Sequence, residues 1–466
     1  MINLADKADH FPTERTVAPH PKDLVDVAEF LLEDGDIKRW RGDWWVLDES
    51  GRWESADRED FENRLKQTLR DCDYIDGGHP KRWAPTAALM AEILSTLKEF
   101  AALPTKADAP FWLADEDDQP PASECIVVGN SEWGQDILHL PTRDVRDGEL
   151  FTPVSISCGY DEDAQCPEWE LFLKSLWGDD EKSIAALQEI FGYVIAGKAN
   201  IQKLFLIVGP KRSGKGTIVR ILENLIGEGN HTGTSLAQAG EKFGLQSLIG
   251  KSLAVVGDAR LAGRNMTATT ERLLSISGED TQTVQRKYRV DWTGRLGVRF
   301  LILSNEMPAF PDASGTIASR FVILRTTKSW AGCEDLELQE RLLRELPGIL
   351  NWSLDGRDRI VDAGRFTEPA SMANDHEDML YAASPIQKFG GDVLQFGEEF
   401  SIRGDDIFAL WSDWAKANGE KVGTSATFGR DFKAAYAQIE HKQRRVDGGS
   451  RTWFYLGVTG VLGVTG

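Results

Sequence analysis

Apolar positions along the chain follow two rhythms. One is the short unbroken run of a buried strand, and the other is the i, i+3, i+4 spacing of one helix face. Helical spacing covers Leu24–Leu32. Phe61, Leu65 and Leu69 share one helix face, and Leu89, Met90, Ile93, Leu94, Leu97 and Phe100 share another. Trp44, Trp45, Val46 and Trp53 flank the turn signal Asp48-Glu49-Ser50-Gly51 and read as a small hairpin. A strand is expected over Cys125–Val128, and helices over Glu168–Trp177 and Ile184–Ile195. The chain then alternates. Leu204–Val208, Leu253–Val256, Phe300–Leu303 and Phe321–Leu324 are apolar runs of strand length, and helical patterns start at Ile218 and Met266. Alternation of this kind predicts a parallel sheet flanked by helices.

Beyond that sheet, Leu336–Leu346 reads as a helix stopped by Pro347, and Ile349–Leu354 as its successor. Residues 363–384 are polar and poorly periodic, and read as a linker. Ile407, Leu410, Trp411 and Trp414 mark a helix, and Phe428, Phe432 and Tyr436 a second. Lys442-Gln443-Arg444-Arg445, Asp447-Gly448-Gly449 and Thr452–Tyr455 read as strand, turn and strand. Helix, helix and hairpin together suggest a winged helix. The expected division is an arm over 1–20, a mostly helical N-terminal domain over 21–185, the alternating α/β domain over 186–362, a linker over 363–384, the winged helix over 385–457 and a flexible tail over 458–466.

Composition narrows the class. With 466 residues, 41% hydrophobic and 27% charged, the chain is expected to be soluble, globular and built of about three domains. No run reaches the apolar length of a membrane span, and the polar, Pro-containing N-terminus reads as an arm rather than a signal peptide. The five cysteines make no C-x-x-C pair and read as reduced thiols of a cytoplasmic protein. A net charge of −21 argues against a surface coated for nonspecific DNA binding, but leaves room for a local basic site. The acidic segments Ala114–Asp118 and Asp161–Asp163 read as solvated loops rather than metal sites.

The candidate chemistry centres on Gly209-Pro210-Lys211-Arg212-Ser213-Gly214-Lys215-Gly216-Thr217, between an apolar strand and a helix. That context makes a phosphate loop credible: glycines let N–H groups converge on phosphate oxygens, and the helix N-terminus favours negative charge. Lys215 would reach the β- and γ-phosphates of ATP. The usual Ser or Thr after the lysine is displaced by Gly216 to Thr217, the G-K-G-T form also found in nucleoside monophosphate kinases. The motif alone therefore leaves two enzyme classes open. Asp258 ends the second strand, where a carboxylate can hold Mg²⁺ through water beside the Thr217 hydroxyl. Only one acid stands there, because residue 259 is Ala. Asn305 ends the third strand, where an amide can orient water. Gly209, Asp258 and Asn305 thus all fall at strand carboxyl ends, where such sheets bind ligands. Arg320 could neutralise a transferred phosphoryl across a subunit interface. In the stretch Glu279–Trp292, Val284, Tyr288, Val290 and Trp292 share one face of a strand pattern and Lys287 and Arg289 the other. With Arg286 they form a basic hairpin suited to a nucleic-acid backbone.

Taken in order, GPKRSGKGT, VVGDAR, SISGEDTQTVQRKYR, FLILSNEMP and ASRFVIL resemble superfamily 3 helicases of the AAA+ class, most closely the helicase part of phage and plasmid primase-helicases related to the poxvirus primase-helicase. The resemblance implies an α/β AAA+ P-loop NTPase core with a helicase-associated N-terminal domain and a C-terminal winged-helix domain. It implies a homo-oligomeric ring, a hexamer, with ATP and Mg²⁺ between subunits. Lys215 and Thr217 then act on nucleotide and metal, Asp258 is the Walker B acid, Asn305 the sensor and Arg320 the arginine finger. Lys287, on a channel hairpin with Arg286 and Arg289, grips single-stranded or forked DNA. About 185 residues precede the motor, too few for the family's upstream primase, so a separate primase or replication protein is an expected partner. Two other readings stay open: a replication initiator or loader that binds DNA without unwinding it, and a nucleotide kinase.

Overall fold

The computed structural model describes residues 15–114, 118–131, 134–196, 201–257, 266–287, 289–310, 316–445 and 451–460. At its centre lie five strands: β1 (Leu204–Val208), β2 (His231–Thr234), β3 (Leu253–Val256), β4 (Arg299–Ser304) and β5 (Phe321–Arg325). Every pairing among them is parallel, in the order β2-β3-β4-β1-β5. Parallel neighbours need crossovers, which cover both faces, so such strands can be apolar throughout. All five residues of β1 are buried. Phe205 and Ile207 join Val255, Leu301 and Val322 in one core, while Leu206 and Val208 join Val256, Ile302 and Ile323 in the other. That is the period-2 alternation of a strand used on both sides.

The helices α1 (Pro167–Trp177), α2 (Glu181–Ala196), α3 (Lys215–Ile226) and α4 (Leu346–Ala363) cover the first face, joined by Leu342 of the helix Leu338–Leu343. α2 and α4 meet backbone to backbone. A Cβ at Gly192 would lie 2.4 Å from the Ser353 carbonyl oxygen, so only glycine allows the approach. The second face carries Leu236, Leu248, Leu273 and Ile276, the last two from the helix Met266–Ser277.

Several expectations need correction. The region before the sheet is not mostly helical. Besides the helices Leu24–Leu32, Arg58–Arg70 and Ala87–Phe100 it holds ten short strands among the described residues. The shortest have two residues, too few for alternation to register. The expected tryptophan hairpin is present, pairing Leu47 with Trp53, and the strand Ile37–Trp40 adds a third member. α1 lies before residue 186, yet Trp169, Phe172, Leu173 and Leu176 pack into the core on the sheet, so the boundary is earlier. Pro347 opens α4 at its first turn instead of merely ending the preceding helix.

The stretch expected as a linker contains the helix Met372–Ala383. It docks on β5 through Met379, an ion pair of Asp375 with Arg325, and a His376 Nε2 contact of 2.9 Å with the Phe321 carbonyl. Its anchoring is largely polar, so hydrophobic periodicity does not reveal it. The arm is bound from residue 15 onward: Ala18 is buried and its N–H donates to the Asp73 carbonyl. The last module runs through helix Pro385–Val393, strand Leu394–Arg403, helices Gly404–Ala417 and Ser425–Ala435, and strands Glu440–Arg445 and Arg451–Gly460. The last strand sits in the middle of its sheet and buries Val458, so the chain is structural to Gly460 rather than loose after 457. Residues 461–466 lie outside the described residues. No described helix is long and apolar enough to cross a membrane.

Candidate functional site

β1 sits between β4 and β5, while the chain leaves it for β2 at the far edge. That reversal of strand order opens a crevice beyond the carboxyl ends. The loop Gly209–Gly214 enters it and turns into α3. Gly214 caps the helix at φ +85°, and a Cβ there would lie 2.9 Å from Leu176 Cδ2, so both backbone and packing require glycine. The loop is braced from the segment after β5. Thr326 N–H donates to the Val208 carbonyl at 2.8 Å, and the Thr326 and Ser213 hydroxyls are 2.8 Å apart. Ser329 Oγ reaches the Lys211 carbonyl at 2.8 Å and Trp330 N–H the Arg212 carbonyl at 2.9 Å. Arg212 pairs with Glu334 at 2.8 Å.

Lys215 is the first residue of α3 and 8% exposed. Its ammonium donates to the Gly209 and Pro210 carbonyls, both at 2.7 Å, and to Ser213 Oγ at 3.2 Å. Burial pushes its pKa below the usual lysine value. Three carbonyl and hydroxyl oxygens thus hold a partly desolvated cation at the mouth of a helix N-terminus. Thr217 lies half-buried in the first turn of α3, with Arg220 Nη2 3.4 Å from its hydroxyl.

A cavity of about 970 Å³ opens over this loop, and Lys215, Thr217, Gly257, Asn305, Trp330 and Arg341 line it. The structure therefore brings Lys215, Thr217 and Asn305 to one place. Asp258 lies outside the described residues, but its predecessor Gly257 lines the same cavity. No group of three or more His, Cys, Asp or Glu suited to a metal occurs among the described residues. Arg320 is elsewhere. It precedes β5, at the amino ends of the strands, and donates to Gln202 Oε1 at 2.8 Å. The five residues of β5 separate it from the loop end by roughly 15 Å.

The basic stretch differs from the expected continuous strand face. The strands are only Thr281–Val284 and Trp292–Arg295, paired antiparallel, and residues 285–291 connect them. Val284 and Trp292 are buried as expected, but Val290 is 82% exposed and Tyr288 lies outside the described residues. The three cations divide. Arg286 is buried against the N-terminal region, with Nη1 2.5 Å from Asp43 Oδ2 and Nε donating to the Val290 carbonyl at 2.8 Å. Arg289 bonds Asp57 at 3.3 Å. The backbone N–H groups of Glu59 and Asp60, and then Arg289, hold the Asp57 carboxyl below its usual range. Lys287 alone of the three is exposed, 5.9 Å from the Phe243 ring centroid.

Sequence reasoning missed Thr326, Trp330 and Arg341. Thr326 had a signal, because it follows β5 at the same carboxyl edge as Gly209 and Asn305. Trp330 and Arg341 had none, since only the return of the chain over the loop brings them there. Residues 207–320 match the model of a family of unknown function, DUF5906. In three dimensions the chain is similar to the NrS-1 C-terminal region in its A-form apo structure. The identity is 14% and the TM-score 0.53, over 92% of this chain and 99% of that one. A second apo structure of that region, residues 305–718, gives 13% identity and a TM-score of 0.50 over 94% and 100%. The likeness is one of fold.

Proposed function

We propose that the chain is an ATP-driven motor on single-stranded DNA, a helicase of the phage and plasmid replication type that works as a homo-oligomeric ring. The observation that carries the reading is the convergence of Lys215, Thr217, Gly257 and Asn305, from three strand ends, on one cavity.

The residues suit a nucleotide triphosphate with Mg²⁺. Loop N–H groups and the α3 N-terminus attract phosphate, and Lys215 can exchange its loop acceptors for phosphate oxygens. A cation that keeps most of its water needs few protein oxygens, and the Thr217 hydroxyl with Asp258 would supply them. ATP would supply the free energy, and the metal would offset phosphate charge. Asn305, exposed at the end of β4, is assigned to orient water. Asp258 is assigned as the Walker B acid. Arg320 stands too far from its own chain's loop to serve it, which suits a role on a neighbour's nucleotide. Lys287 is the exposed cation of the basic loop and is assigned to the DNA backbone, with Arg286 and Arg289 behind it.

Strand displacement on a forked DNA, with ATP and Mg²⁺ and with Lys215→Ala alongside, tests the reading. Unwinding by the native chain and none by the variant is expected. DNA binding and ATP hydrolysis without displacement would replace it with an initiator or loader. Phosphate transfer to a nucleoside monophosphate, with no response to DNA, would replace it with a kinase.

A further inference from the structure

The C-terminal hairpin carries chemistry that the motor does not use. Its strands Glu440–Arg445 and Arg451–Gly460 pair so that His441 faces Tyr455, Gln443 faces Trp453 and Arg445 faces Arg451. Side chains directly opposite share a face. Tyr455 is buried in the module's core. His441 stacks on Tyr455 with centroids 4.4 Å apart and on Trp453 at the same distance, within 23° of parallel in both cases. Trp453 is therefore the last ring of a three-ring stack rooted in the core, and it is 48% exposed. A large ring left open is unremarkable by itself. Here one of its faces is held against the His441 ring, and cations stand beside it.

Lys442, Arg444, Arg445 and Arg451 are all exposed. Lys442 pairs with Glu440, while Arg444, Arg445 and Arg451 make no ion pair among the described residues. In a chain of net charge −21, a stripe of this sign is a local exception. Strand alternation puts Lys442, Arg444 and Arg403 on the other face with Phe454, so Arg445 and Arg451 are the cations that share the Trp453 face.

We propose that this hairpin is a second binding site for single-stranded DNA, with an unpaired base stacked on Trp453 and flanking phosphates on Arg445 and Arg451. Stacking accepts any base, because every base has a π-face, and cations along the strand follow the backbone. A ring at the open end of such a stack can take only a base that has left its own stack, so the site selects single strand over duplex. The site needs neither nucleotide nor the phosphate loop, and it stands if the motor reading fails.

The test uses the full chain without nucleotide, in a Lys287→Ala background that removes the basic-loop contact, and titrates a labelled oligothymidine. Trp453→Ala is expected to weaken binding about tenfold or more. Trp453→Phe should recover most of it. Arg445→Gln with Arg451→Gln should flatten the plot of log affinity against log salt by about 1.4, two phosphate contacts' worth. Thermal melting checks that each variant is folded, and the double arginine variant removes only solvent-facing charge. Unchanged affinity in the tryptophan and arginine variants overturns the proposal. So does duplex competing as well as single strand, or polyglutamate competing as well as oligothymidine.

Discussion

Lys215 shows how much the loop before α3 depends on one side chain. Its ammonium satisfies two loop carbonyls and a hydroxyl, and burial lowers its pKa. Between that lowered value and the free-lysine value the folded chain holds fewer protons than the unfolded one. The penalty is full below the lowered pKa and is relieved as pH rises through the window. A phosphate beside the ammonium reverses the shift, so nucleotide binding in that window should take up a proton, and affinity should fall as pH rises. Calorimetry in buffers of different ionisation enthalpy reads this directly, and Lys215→Arg should abolish the uptake. The cysteines give a second reading of the same site. Burial pushes Cys125 up to about 11 and Cys158 and Cys166 up to about 12, and it also raises Cys72, so these thiols should resist alkylation. Cys333 is exposed and lines the cavity. Brief iodoacetamide treatment at pH 8 should label Cys333 alone, and ATP should protect it. Peptide mapping would detect the failure of either expectation.

At the scale of elements, the basic loop is tied to the strand Asp43–Leu47 by a buried pair. The Arg286 side chain is 6% exposed and that of Asp43 is 14% exposed. Removing one member of such a pair leaves an uncompensated charge, which costs more than the pair itself contributes. Asp43→Ala should therefore lower stability by about 3 kcal/mol in urea melts, and pairing it with Arg286→Met should restore most of that. A cycle showing no coupling would mean the contact is incidental. The same pair explains a failure of sequence reading. Alternation put Lys287 and Arg289 on one face, and Arg286 was read with them as a basic hairpin for DNA, but only the docked N-terminal region decides that Arg286 and Arg289 face protein. The helix Met372–Ala383 was hidden for a related reason, since Asp375 is 1% exposed yet anchored by Arg325 rather than by apolar periodicity.

At the scale of the whole molecule, the distance between Arg320 and the loop Gly209–Gly214 of its own chain is the informative quantity. If rings form with nucleotide between subunits, Arg320→Ala and Lys215→Ala should each be inactive alone. Mixed, they should regain part of the ATPase, because some interfaces then unite an intact loop with an intact arginine. No recovery on mixing, with both variants still assembling, would place the arginine's work inside one chain. The sequence by itself determined the parallel sheet, the strand–loop–helix at Lys215 and the strand ends that converge on it. Those depend on local runs, turn glycines and the rule that such sheets bind at their carboxyl ends. Only tertiary structure decided which cations are free, how Thr326 and Trp330 brace the loop, that the supposed linker is a docked helix, and that Trp453 ends a ring stack. Each of these rests on contacts between residues far apart in the chain, where burial and ion pairing override what any window of neighbours can express.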